Sequence, residues 1–324
     1  MKLHRSWLVA AVIGSHATLL SAQNTACLPY SGQTLNVCNA AIDGSVVFHP
    51  IAGLLVSGGN PVIGSASTLG GLGHFSVTLR VNGAKLVTPD LSYDGSGGTT
   101  VGKGEDLFAP APLVEGAIGL FKGLPSGLLA VDFLGSAQLL PTTQIKNLTV
   151  DKNARKIGSV ALGLGYGARV GVIRGKAVIP SVSVSLMRRD IPKITYGDLT
   201  TGDQYRYGLD LHATNLRATA GYKLVVLNLS GGLGWDKYTG TADIAFTDPT
   251  DPNPLTNQEV LTPTKLDQSR TMIFLDAALD FPVFKIAVEV GQQFGKQQNF
   301  PTTFDGNNPG DGRFFAGAGI RLGF

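Results

Sequence analysis

Apolar and polar residues alternate strictly along several segments of this sequence. In the stretch HFSVTLRVN, residues 74–82, apolar side chains occupy every second position and polar side chains lie between them. A β-strand places successive side chains on opposite faces, so each such segment predicts a strand with one apolar face. The same alternation recurs near 159–170, 270–281, 284–290 and 313–324. The fold is therefore predicted to be all-β.

The connections between the predicted strands alternate between long polar stretches and short turns. We count eleven strands from Gly71 onward, with Asn82-Gly83 and Phe281-Pro282 among the short turns. This alternation is typical of up-and-down transmembrane barrels, which in bacterial outer membranes have an even number of strands. We therefore predict an antiparallel transmembrane β-barrel of about 12 strands, with 10 or 14 as alternatives.

The segment 45–57 decides the strand count, and the sequence leaves two interpretations of it open. It is either the twelfth strand or a short N-terminal segment that plugs the lumen. Pro50 argues against a long helix and against a long strand, because proline lacks the N–H that either structure needs.

Composition indicates that the barrel lies in a membrane. Only 15% of the residues are charged, against about 25% in ordinary soluble domains. The second face of the alternating segments carries mostly Gly, Ala and Ser, which suits a crowded or water-filled interior better than bulk solvent. After the N-terminus, no stretch has the roughly 20 apolar residues of a transmembrane helix. The net charge is only +3 and the basic residues are scattered, so we predict no nucleic-acid partner.

The N-terminus has the pattern of an export signal. A basic start, an apolar stretch and a small-residue site predict a signal peptide over residues 1–22, cleaved after Ala22. Residues 23–43 are predicted to be a periplasmic segment, and residues 44–324 to be the barrel. In an exported chain, the lone pair Cys27 and Cys38 predicts a local disulfide rather than a metal site.

The last predicted strand ends on an aromatic residue and has one apolar face, which includes Phe314, Ile320, Leu322 and Phe324. It resembles the C-terminal β-signal of bacterial outer-membrane proteins. The resemblance implies a Gram-negative outer membrane, with its lipids and the barrel assembly machinery as partners. The segment FHPIAGLLVSGGNP, residues 48–61, resembles more distantly the plug of the long-chain fatty acid transporter family. No ligand residue is carried over from either resemblance.

Charged residues on the inner face of the last three strands predict a lumenal cluster. We expect Asp280 opposite Lys285, Asp276 opposite Glu289, and Glu289 near Arg321. The cluster is interpreted either as a salt-bridge network that fills the barrel or as a charged constriction that selects solutes. Its predicted members are Asp276, Asp280, Lys285, Glu289, Arg313 and Arg321.

Motifs for catalysis are lacking, since the sequence has no GxSxG elbow, HExxH or Walker loop. We interpret His212 and Asp210 as a lumenal polar pair, and we predict no catalytic residue, no metal and no cofactor. The predicted function is a channel or transporter for passive or facilitated passage of small solutes, including hydrophobic ones. A non-transporting structural or surface-binding barrel is the alternative, and an outer-membrane enzyme is the third hypothesis.

Overall fold

A computed structural model of the protein describes residues 24–125, 128–141, 147–175 and 179–323. The predicted signal peptide and Phe324 lie outside the described residues. One long helix, α1 (Gly32–Ser57), follows a short 3-10 turn at Thr25–Cys27, and a second short turn covers Leu199–Thr201. The strands are β1 (Phe75–Pro89), β2 (Thr100–Val101), β3 (Lys103–Phe121), β4 (Ala130–Pro141), β5 (Leu148–Val150), β6 (Lys156–Ile157), β7 (Val160–Ile173), β8 (Ser181–Tyr196), β9 (Tyr205–Leu224), β10 (Leu227–Thr247), β11 (Gln258–Val260), β12 (Thr264–Asp280), β13 (Phe284–Gln293), β14 (Thr303–Phe304) and β15 (Arg313–Gly323).

Ten strands form a closed antiparallel barrel, in the order β1-β3-β4-β7-β8-β9-β10-β12-β13-β15. The barrel closes because β15 pairs with β1, from Ser76 opposite Gly323 to Ala84 opposite Phe315. The connections at one end include 225–226 and 281–283, and this short-turn end also holds the start of β1 and the end of β15. The opposite, long-loop end carries 90–102, 248–263 and 294–312.

The barrel has ten strands rather than the favoured twelve, so ten, one of the alternatives, is the count observed. The prediction counted two strands where the structure has one, because Asn82-Gly83 is not a turn. Strand β1 continues through it and pairs with β3 on one side and β15 on the other. Gly83 faces outward, and the ring of Phe108 lies over it, where a Cβ on Gly83 would have to be. The glycine therefore makes room for a cross-strand aromatic ring instead of bending the chain.

The second lost strand is 45–57, which belongs to helix α1, so the first barrel strand begins at Phe75 rather than near residue 44. Pro50 lies inside the helix, contrary to the expectation that it would prevent a long one. A proline leaves the carbonyl four residues earlier without its helical donor. Here the side-chain amide of Gln268 on β12 donates to that carbonyl, Val46 O, at 2.6 Å. A tertiary contact replaces the missing helical bond.

Helix α1 is surrounded by the inner faces of the barrel. It contacts β1, β3, β9, β10 and β12, which lie on different sides of the cylinder. The helix is long and apolar enough to cross a membrane, but 83% of its most apolar window is buried inside the protein. A helix that is apolar around its whole circumference is typical of a fully buried position.

The N-terminal segment lies at the long-loop end, not beside the short turns as a periplasmic segment would. Asn36 Nδ2 donates to Gly95 O at 3.0 Å, and the hydroxyl of Thr34 donates to Asp248 at 2.5 Å. From there the chain runs through the barrel and begins β1 at the short-turn end. The predicted periplasmic segment over residues 23–43 would lie on the side of the short turns, and a helix that traverses the lumen accounts for the difference. The predicted disulfide joins Cys27 to Cys38.

The outer wall is apolar around much of its circumference. Outward side chains of β1, β12, β13 and β15 are about half exposed, including Leu79, Leu275, Val288 and Ile320. Aromatic side chains border this belt: Phe121, Tyr222 and Phe281 toward the short turns, and Phe108, Tyr166, Trp235 and Phe314 toward the long loops. An apolar band between two aromatic girdles is the outer surface of a barrel that faces lipid.

Candidate functional site: a charged ring inside the barrel

A ring of buried charged side chains lines the interior. Each of the ten barrel strands contributes one member, and each member is at most 5% exposed. Five are arginines and five are carboxylates, so their formal charges cancel. The charged ring consists of Arg80, Glu115, Asp132, Arg169, Arg189, Arg217, Asp236, Asp276, Glu289 and Arg321.

The ring encloses the chain segment that follows α1, residues 58–69, which we call the lumenal segment. Glu289 accepts hydrogen bonds from two consecutive backbone N–H groups, Gly59 N at 2.9 Å and Asn60 N at 2.6 Å. Arg80 donates to the Asn60 carbonyl at 2.7 Å and forms an ion pair with Glu289. Asp276 accepts from the Asn60 side chain at 2.7 Å. One short peptide stretch is thus held by three charged side chains.

Arg217 holds the same stretch from the opposite wall. Its Nε and Nη2 donate to the carbonyls of Gly59 and Gly58, at 2.8 and 2.9 Å. Gly58 ends the helix with a φ of 57°, and a Cβ there would lie 2.5 Å from Arg80 Nη2. Both the backbone conformation and the close approach of the guanidinium require glycine at this position.

Closer to the short turns, the lumenal segment is held by three further ring members. Arg321 donates to Ile63 O at 3.0 Å. Both carboxylate oxygens of Asp132 accept from Leu69 N at 3.1 Å, and Arg169 pairs with Asp132 at 2.7 Å. Arg169 also donates to Ser65 O at 3.4 Å. Together with Arg80, Arg217, Asp276 and Glu289, seven ring members therefore bond directly to residues 58–69.

The other three ring members support two of these seven, Arg80 and Arg217. Glu115 pairs with Arg80 and with Arg189, at 3.3 Å each. Asp236 pairs with Arg217 at 2.7 Å and accepts from Tyr238 OH at 2.9 Å. Removing one partner from a buried ion pair leaves an uncompensated charge, so a single substitution in the ring is expected to destabilise it.

The part of α1 nearer the long loops, which includes Phe48, is held by apolar packing instead. Phe48 packs against Tyr196 and Tyr207 with ring centroids 6.3 and 6.0 Å apart. Asp43 is the charged exception in this region, and it accepts from Asn24 Nδ2 at 2.9 Å and from Thr302 N at 3.0 Å. Burial raises the pKa of the Asp43 carboxyl to about 6, although both hydrogen bonds act in the opposite direction.

The six side chains predicted to form one lumenal cluster separate into three groups. Asp276, Glu289 and Arg321 belong to the charged ring. Asp280 and Lys285 pair at 2.7 Å near the short turns. Arg313, toward the long loops, donates to Asn307. Glu289 was predicted to lie near Arg321; across the β13–β15 pair it lies opposite Gly317, and Lys285 lies opposite Arg321.

Most of the ring was missed by sequence reasoning. The missed members are Arg80, Glu115, Asp132, Arg169, Arg189, Arg217 and Asp236. The sequence signal that could have revealed these residues was a charged side chain at an inward-facing position of each strand. The sequence analysis derived opposite residues only across the turn at Phe281-Pro282 and toward the last strand, so the charges of the other strands were not brought together.

His212 and Asp210 are not a lumenal pair. Both lie on the outward face of β9, and His212 Nδ1 is 2.6 Å from Asp190 on the neighbouring strand β8. Asp210 accepts from the Thr241 hydroxyl at 2.8 Å. The inward parity of β9 belongs instead to Leu211, Ala213 and Asn215, which are all buried. The prediction had assigned the two faces of this strand the wrong way round.

No protein-family model and no curated protein matches the sequence. Solved structures with similar folds are bacterial barrels. The outer membrane protease OmpT from Escherichia coli matches with 11% identity and a TM-score of 0.40, over 80% of this chain and 100% of that one.

Two further solved structures match over most of their length. The N-terminal β-barrel domain of Pseudomonas aeruginosa OprF has 11% identity and a TM-score of 0.29, over 78% of this chain and 99% of that one. The Ralstonia pickettii toluene transporter TbuX has 10% identity and a TM-score of 0.28, over 83% of this chain and 92% of that one. At this level of similarity the matches assign no activity to the chain.

Proposed function

We propose that the protein is an outer-membrane β-barrel closed by its own N-terminal segment, and that it presents the long loops and the disulfide-closed segment at the cell surface. The observation that carries the proposal is the set of seven ring members bonded to residues 58–69. Because the ring side chains are almost fully buried against this segment, water has little room to cross at that level. Long loops are extracellular in barrels of this kind. The alternative predicted from sequence, a non-transporting structural or surface-binding barrel, therefore comes first.

The second candidate is the channel or transporter for small solutes, opened by movement of the lumenal segment. One observation favours it: the segment is held mainly by hydrogen bonds and charges rather than by a large apolar core. The buried apolar clusters of the segment are small: Ile63 packs with Ala278 and Ala287, and Val62 packs with Ala117, Leu134 and Met187. Water or a polar solute can replace such contacts at lower cost than it can replace apolar packing.

Conductance separates the two candidates. Purified protein in planar bilayers is expected to show no stable channels if the closed barrel is the working state. Stepwise conductance of the unmodified protein, accompanied by solute flux into liposomes, would make the channel the better proposal.

Surface labelling tests the presentation itself. An epitope inserted after Leu28 is expected to bind antibody on intact cells, as is an epitope in the 248–263 loop. The same epitope in the turn at Val225-Val226 is the matched control, and it should bind only after the cells are opened. Labelling of the turn without labelling at Leu28 would overturn the proposed orientation.

A further inference from the structure

The barrel wall is incomplete near the long-loop end. Strand β13 pairs with β12 only from Met272 to Asp280. Above Met272, the described part of β12 has β10 as its strand neighbour, and on the other side Phe294 N of the loop 294–312 donates to Thr271 O at 2.8 Å. At this height a loop, rather than a strand, closes the wall between β12 and β15.

Two arginines lie behind this loop, on the inner side of the gap. Arg270 of β12 is 5% exposed, and Arg313 is the first residue of β15. Both line a small opening of about 10 Å³ that is bordered by Pro50 of α1 and by Phe294 and Pro309 of the loop. The opening has room for about one water-sized group.

The charges of these two arginines are not balanced in the way that the charged ring is. Among the described residues, neither guanidinium has a carboxylate within the 4 Å of an ion pair. Arg270 donates to Ser269 O at 3.1 Å and to Gln268 Oε1 at 2.8 Å, while Arg313 donates to Asn307 Oδ1. One carboxylate, Asp311, lines the same opening, so the local balance is two positive charges against one negative charge.

An arginine has five N–H donors, and only three of the ten donors in this pair have an acceptor among the hydrogen bonds described above. A buried guanidinium is costly without a counter-charge, and this applies to Arg270, whereas Arg313 is partly exposed at the mouth of the opening. Planar N–H pairs match the oxygens of phosphate and carboxylate, with which arginine forms short, charge-assisted hydrogen bonds.

We propose that Arg270 and Arg313 form a binding site for an oxyanion of the phosphate or carboxylate class, at the gap covered by loop 294–312. One oxygen enters the opening and hydrogen-bonds to both guanidinium groups, and the rest of the anion lies at the mouth under the loop. The source of the anion is either a free solute or the headgroup of a lipid at the barrel wall. The site is independent of whether the barrel conducts.

Loop 294–312 contains its own reporter, since Lys296 is exposed and offers a trypsin site next to the opening. Bound anion holds the loop closed, so cleavage after Lys296 slows in proportion to the bound fraction. At ten times its Kd, phosphate is expected to slow cleavage of the full-length protein by about tenfold. The measurement is made in zwitterionic detergent, with sodium chloride at equal ionic strength as the reference.

The variants are Arg270→Gln, Arg313→Gln and the double substitution, which keep hydrogen-bonding capacity but remove the charge. We expect each single variant to weaken the phosphate effect and the double variant to abolish it. Arg188→Gln, on the outer face, is the matched control and should retain the full effect. Unboiled gel mobility checks that every variant is a folded barrel, and the single variants keep the test decisive if the double variant does not fold.

A second arm identifies the source of the anion. Protection by phosphatidylglycerol bicelles in the absence of phosphate supports the site with a lipid headgroup as ligand, and protection by phosphate alone supports a free solute. The proposal is overturned if neither slows cleavage, if chloride acts as strongly as phosphate, or if the double variant is protected as well as the unmodified protein.

Discussion

Glu289→Gln is expected to loosen the lumenal segment without unfolding the barrel. In the native protein this carboxylate accepts from Gly59 N at 2.9 Å and Asn60 N at 2.6 Å, and it also pairs with Arg80. Glutamine keeps one acceptor oxygen but removes the negative charge. Arg80 retains its 3.3 Å pair with Glu115, so its charge is left only partly compensated.

Breaking a buried ion pair by removing one partner costs about 3–5 kcal/mol. Because about 1.4 kcal/mol corresponds to a factor of ten, local opening of the segment should become about 100-fold to 4,000-fold more frequent. The lower value is the better guide, since Arg217 continues to hold the carbonyls of Gly58 and Gly59.

Amide hydrogen exchange at Gly59 and Asn60 measures this opening directly, because these two N–H groups are the donors to Glu289. The matched control is Asp280→Asn. Asp280 also faces inward, but its ion pairs are with Lys223 and Lys285 near the short turns. The control should leave exchange at both amides unchanged. Equal exchange in the Glu289 variant and the unmodified protein, or equal acceleration by the control, would refute the clamping role of the ring.

Three further perturbations test other parts of the structure by guanidinium unfolding, followed as the change in unboiled gel mobility. Gln268→Leu should lower the free energy of unfolding by about 1–3 kcal/mol, because it leaves the Val46 carbonyl of α1 unpaired. This cost should be smaller in a Pro50→Ala background, where the backbone N–H of residue 50 can donate to that carbonyl. Equal costs in both backgrounds would contradict this. Replacing both Cys27 and Cys38 by Ala should lower the stability of the N-terminal segment by about 2–4 kcal/mol and expose it to proteases, while the barrel persists. Asp43→Asn should raise the unfolding midpoint at pH 8 and leave it unchanged at pH 4. The folded-state pKa of Asp43, raised to about 6, means that this carboxyl contributes stability below pH 4 that is lost as the pH rises through 6. A larger rise of the midpoint at pH 4 than at pH 8 would contradict this.

The alternation of apolar and polar residues was enough to predict the strands and their outward faces. In the last strand, for example, Phe314 and Ile320 face outward and Arg321 faces inward, as the pattern indicates. Such a pattern depends only on residues two positions apart in the chain, and the geometry of a single strand turns it into two faces. The strand type, the antiparallel order and the charges of the last hairpins were therefore accessible from the sequence.

The tertiary structure decided the strand count, the path of the N-terminal segment and the composition of the charged ring. Closure with ten strands depended on β1 continuing past Gly83 because Phe108 of β3 covers it. Helix α1 tolerates Pro50 because Gln268, 222 residues beyond Val46, supplies the missing donor. The clamp between Gly59 and Glu289 spans 230 residues. Contacts over such separations leave no periodic trace in the sequence, because they exist only once the wall has closed around the segment that it holds.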